Sequence, residues 1–144
     1  MTERVDFYVL TSAGSKQRWA FACRLTEKAY LRDLSIVIVN DNLADAQALD
    51  DLLWTFSERS FIPHKVCLDG HTVDPATPVH LTFEPTPPPP ADLLVNLAGR
   101  LPGDLQRYHR IAEIIDADEE RRRLGRERFK AYRDLKLPLE THAS

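Results

Sequence analysis

Apolar and polar positions follow two different periods along the first half of the chain. Val5 to Leu10 (VDFYVL) is a short run rich in β-branched and aromatic residues, as expected of a strand. Thr11 to Ser15 then reads as a turn in which Ser15 caps a helix. Trp19, Ala22, Cys23, Leu25 and Ala29 give that helix an apolar stripe, and it runs to about Arg32. Ser35 to Asn40 (SIVIVN) is almost continuously apolar between polar neighbours, the mark of a strand buried on both faces. Asn42 opens a second helix that carries Leu43, Ala46, Leu49, Leu52 or Leu53, and Phe56 at three- and four-residue steps; Phe61 to Val66 is extended again.

The order β-α-β-α-β implies crossover connections, because parallel neighbours cannot be joined by a tight hairpin. The fold class is therefore α/β, with a mostly parallel sheet and helices packed on it. Further strands are predicted at Val79 to Phe83, Asp92 to Leu97 and Ile111 to Asp116. The prolines between Pro85 and Pro90 cannot donate to a ladder and predict an extended connector, read as a plain spacer. A last helix is predicted from about Asp118 to near Leu135, with Pro138 beyond its end.

With 144 residues and 43% hydrophobic content, the chain can bury one core, so residues 1–144 are read as a single domain. No apolar stretch is long enough to span a bilayer, and the chain opens directly into a strand pattern; a soluble, cytoplasmic protein without a membrane partner is expected. Cys23 and Cys67 lie in apolar surroundings and read as inert core thiols. The net charge of −3 argues against strong general binding to DNA. That average hides an asymmetry: residues 121–133 hold seven basic groups against one acid, and the rest holds twelve against twenty-one. A basic patch on an acidic body suggests a selective anionic partner.

Enzymatic chemistry finds little support. Thr11-Ser12-Ala13-Gly14-Ser15-Lys16 has one glycine where a dinucleotide fingerprint needs three and a phosphate loop two, so no nucleotide site is expected. His64, Cys67, His71 and His80 are the only cluster with metal-ligand chemistry, but no second pair completes a zinc pattern, and no metal or other cofactor is expected. Asp116 to Glu120 stand where the last helix begins and favour its dipole. No catalytic triad is legible along the chain. Leu52-Leu53-Trp54-Thr55-Phe56 and Phe61-Ile62-Pro63-His64 hold more large apolar groups than one helix stripe and one short strand bury, which makes Trp54 and its neighbours candidates for a protein interface.

The last helix sorts its charges when laid out at about 100° per residue. With Leu124 at zero, Ala131, Tyr132 and Leu135 fall within about 80° and should face the sheet. Arg122, Arg126 and Arg133 fall at about 160–200°, and Phe129 at about 140°, on the edge of the arginine face. Arginine forks suit a carboxylate, and a nearby ring walls a pocket for an apolar side chain. The matching ligand is an acidic peptide ending in a hydrophobic residue. Single-stranded nucleic acid, with Phe129 as a stacking platform, is the competing ligand. Arg128, at about 40°, points inward and needs a carboxylate partner.

Leu53-Trp54 with Ser60-Phe61-Ile62-Pro63-His64, and Arg126-Glu127-Arg128-Phe129-Lys130-Ala131-Tyr132-Arg133, resemble the chi subunit of bacterial DNA polymerase III over essentially the whole chain. The resemblance implies a Rossmann-like three-layer sandwich with helices on both faces, and an accessory subunit with no active site of its own. It implies pairing with the psi subunit as a heterodimer, and thereby membership of the clamp loader, through Trp54, Phe61, Pro63 and His64. It implies that Arg122, Arg126, Phe129 and Lys130 bind the acidic C-terminal tail of single-stranded-DNA-binding protein; Arg133, on the same face of the helical layout, is added to that site. A helicase is a further implied partner, competing for the psi surface. The alternatives kept beside it are a direct single-stranded-DNA binder and a nucleotide- or metal-dependent enzyme of the same fold class.

Overall fold

The computed structural model describes residues 2–56, 61–67, 76–83 and 89–143. The elements are β1 (Arg4–Val9), α1 (Ser15–Tyr30), β2 (Ile36–Asn40), α2 (Leu43–Thr55), β3 (His64–Val66), β4 (Val79–Phe83), β5 (Ala91–Asn96), β6 (Tyr108–Ile115), α3 (Glu119–Asp134) and β7 (Leu139–Ala143). A 3-10 turn at Leu105–Arg107 leads into β6. The strands form one parallel sheet in the order β3-β4-β2-β5-β6-β1-β7.

Strand alternation divides the core into two layers. Ile36 and Ile38 of β2, Val95 of β5, and Ala112 and Ile114 of β6 face α1 and α2. Val37, Val39, Leu94, Ile111 and Ile115 face the other way, where Tyr132 and Phe129 of α3 meet Val5 and Phe7 of β1. Every residue of β2 is buried, as its unbroken apolar run requires. α2 is started by Asn42, whose side chain accepts the Asp45 N–H at 2.8 Å, and it buries Ala46, Leu49 and Leu53. α3 is started by Asp118, which accepts the Arg121 N–H at 3.0 Å, with Glu119 and Glu120 in the first turn.

Four details differ from the sequence reading. Gly14, not Ser15, holds the cap position of α1. Its N–H donates to Asp116 Oδ2 at 2.8 Å, and its φ of 128° is one that a side chain would strain. β6 begins at Tyr108, three residues before Ile111. Leu135 does not face the sheet: it caps the end of α3 and is 56% exposed. Finally, β7 was not foreseen and extends the sheet beyond β1. Of the proline run, only Pro89 and Pro90 fall among the described residues; Ser60 and His71 fall outside them.

Candidate functional site

The position of α3 is set by a glycine and a buried ion pair. A Cβ on Gly125 would collide with Ile115 Cδ1, so the helix lies close enough to β6 that any side chain there would force Ile115 to shift. Arg128 Nε meets Glu113 Oε1 at 3.0 Å, and Tyr132 Oη and Asn96 Nδ2 donate to Glu113 Oε2 at 2.7 and 2.9 Å. Burial pushes the fully enclosed Glu113 carboxyl above its ordinary value, while these donors pull against it. Arg128 thus has the carboxylate partner that its inward position demanded.

These contacts roll α3 so that its inner line runs through Gly125, Arg128 and Tyr132. Phe129 is left half-buried, edge-on to Phe7 with ring centroids 5.2 Å apart. Beside it opens a cleft of about 260 Å³ between α3, β1 and β7. Phe7, Val9, Ile115, Phe129 and Thr141 wall it, and Arg122 and Arg126 stand at its rim.

The charges of the basic segment are sorted by their partners. Arg121 pairs with Asp116 at 3.3 Å, Arg123 with Glu120 and Glu127, and Arg128 with Glu113. Arg122 is held by carbonyl oxygens, Asp116 O at 3.3 Å and Leu10 O at 3.5 Å, which orient it and leave its charge uncancelled. Among the described residues, neither Arg122 nor Arg126 has a carboxylate within ion-pair distance. The cleft therefore presents two guanidinium groups beside an apolar hollow. Lys130 and Arg133 are exposed on the following turn and do not line it. Phe7, Val9 and Thr141, which supply its floor, were not anticipated. Gly125 carried a signal, since a glycine inside a helix marks a weak or close-packed point.

At the far edge of the sheet, Trp54 is 46% and Phe61 67% exposed, and their ring centroids are 5.2 Å apart. They form a contiguous aromatic surface. His64 lies beneath it with its side chain fully buried, its ring 4.2 Å from that of Trp54. Its Nδ1 faces Ile62 O at 2.6 Å and its Nε2 faces Asp50 Oδ1 at 3.1 Å, so it supports Trp54 from below. Pro63 is half-buried beside it.

Other places offer weaker chemistry. At the start of α1, where an open helix end attracts phosphate, the Gly14 amide is already taken by the carboxylate of Asp116. A larger cleft of about 670 Å³ on the α1 face mixes Glu3, Asp6 and Asp92 with Arg4, Lys28, Arg32 and Arg110, so most of its charges offset one another. Among the described residues, one group gathers three possible metal ligands within 4.8 Å: Asp6, Glu140 and His142. Arg4 and Arg110 bind that same Asp6 at 3.1 and 2.8 Å and compensate its charge.

Residues 1–140 match the family described as DNA polymerase III chi subunit, HolC. The chain belongs to this chi-subunit family. It is 35% identical to the DNA polymerase III subunit chi of Pseudomonas aeruginosa over 96% of this chain and 95% of that one. It is 25% identical to the Haemophilus influenzae subunit over 92% of each. Family membership makes the chain a subunit of a DNA polymerase III complex. In fold it is also similar to the C-terminal domain of the DEAD-box protein Dbp5, with a TM-score of 0.62, 12% identity, and coverage of 98% of this chain and 91% of that one. At that identity the likeness concerns the chi chain's fold alone.

Proposed function

We propose that this chi-family chain is a non-catalytic, cytoplasmic adaptor made of one domain. It joins the psi subunit, and through it the clamp loader, to the acidic C-terminal tail of single-stranded-DNA-binding protein. The observation that carries the tail-binding half is the pairing of an apolar cleft with two uncancelled guanidinium groups, Arg122 and Arg126. A peptide's terminal carboxylate takes the arginines, its last apolar side chain enters the cleft, and upstream acids meet Lys130 and Arg133. Psi binds the Trp54 and Phe61 surface, which Pro63 and buried His64 hold in place; a helicase competes there.

A peptide fits better than a nucleic-acid strand because the ring of Phe129 is half-buried against Phe7 and offers no open face for stacking along a chain. A nucleotide is disfavoured by the Asp116 carboxylate at the start of α1. In calorimetric titration with a synthetic acidic peptide ending in phenylalanine, Arg126→Ala is expected to weaken binding by about 1.5–3 kcal/mol, the range for a lost charge-assisted hydrogen bond. An unchanged affinity would overturn the assignment.

A further inference from the structure

We propose that β7 is a strand-addition edge: an acidic peptide whose last residue fills the α3 cleft pairs its main chain with the outward peptide groups of Thr141, running parallel to β7. This deepens the tail-binding reading above and rests on it.

The order of strands ends at β7, so one side of that strand faces away from the sheet. In a parallel ladder, the N–H and C=O of one residue point toward the same neighbour. The Val5 N–H donates to Pro138 O at 2.9 Å, and Val5 stands opposite Leu139, which fixes the phase. Glu140 and His142 turn their peptide groups to β1; Leu139, Thr141 and Ala143 turn theirs outward. The side chain of Thr141 meanwhile lines the cleft beneath Arg126 and Phe129. One residue thus offers a pocket wall with its side chain and, among the described residues, a free strand edge with its backbone. A peptide side chain seated in the cleft brings its own main chain alongside that edge.

The edge is firmly held. His142 Nε2 lies 2.9 Å from Asp6 Oδ1, and Arg4 bridges Asp6 and Glu140, each at 3.1 Å. Strand direction follows from charge. α3 runs antiparallel to the sheet, so Arg122, on the carbonyls of Leu10 and Asp116, sits at the carboxyl ends of β1 and β6. Lys130 and Arg133 lie toward the other end of the helix, where the chain returns to Pro138 and β7. With its terminal carboxylate at Arg122 and Arg126, only a peptide running in the same sense as β7 places upstream acids beside Lys130 and Arg133.

The test is calorimetric titration of the full chain with a synthetic acidic peptide ending in phenylalanine, unmodified and N-methylated singly at each of its last few residues. Methylation at alternate positions is expected to weaken binding about tenfold, the intervening positions staying unchanged, because only alternate amides face β7. Thr141→Pro, which removes an N–H that the β1 ladder does not use, is expected to weaken the unmodified peptide about tenfold more than Thr141→Val, which keeps that donor. Should Thr141→Pro unfold, the methylation pattern alone decides. Absence of alternation, with Arg126→Ala still weakening the peptide, would overturn strand addition and leave tail binding standing. No binding of the unmodified peptide would overturn both.

Discussion

A methyl group on Gly125 would collide with Cδ1 of Ile115, and both residues line the cleft. In an open helix, Gly→Ala stabilises by about 1 kcal/mol. Here the steric cost of overpacking, about 1–3 kcal/mol, should win. Gly125→Ala is therefore expected to lower the denaturant midpoint and weaken the acidic peptide, and adding Ile115→Val, which deletes the colliding carbon, should recover part of both losses. A stabilised Gly125→Ala would contradict the close approach. Arg128 is the second determinant. Removing it as Arg128→Ala strands Glu113 in the interior, and a loss of about 3–5 kcal/mol is expected in equilibrium unfolding. Its inward position was legible from helical spacing, and so was the nearness of Phe129 to Arg122 and Arg126; spacing put that ring on the exposed face, however, whereas it packs half-buried against Phe7. The true centre line of the helix was not legible: two of its three buried positions are a glycine and an arginine, which an apolar pattern does not count. Leu135 was misplaced because the helix ends before its side chain can turn toward the sheet.

Among the elements, β2 and α2 were legible because nothing in them conflicts with their period. β7 was hidden because Leu139-Glu140-Thr141-His142-Ala143 is short and mostly polar, and its attachment depends on distant charges. Asp6 is the hub of that attachment. Burial pushes its carboxyl upward, but hydrogen bonds from His142 and Arg110 and the charges of Arg110 and Arg4 outweigh this and hold it below its ordinary 3.8. A carboxyl with a lowered folded value contributes stability at pH above its unfolded value and loses it as pH falls through the folded one. Denaturant midpoints of the wild type should therefore fall as pH drops below about 4, and Asp6→Asn should lack this part of the fall. An identical acid profile for the two proteins would remove Asp6 from that role.

For the molecule as a whole, sheet order is what separates the two candidate surfaces. Trp54 and Phe61 flank β3 at one edge, and the peptide cleft lies against β1 and β7 at the other. Seven strands at about 4.8 Å spacing place those edges roughly 30 Å apart. Sites so far apart with no shared partners act additively, so Trp54→Ala and Phe61→Ala should abolish psi binding and leave peptide affinity within about twofold. The net charge of −3 concealed this division, since seven of the basic groups gather within residues 121–133. Bridging requires both surfaces to be filled at once. Sedimentation velocity of the chain with psi and a fluorescent tail peptide tests this directly: the label should move with the chain–psi complex as a single ternary species. Displacement of the peptide by psi, or a label that stays with free peptide, would contradict the adaptor.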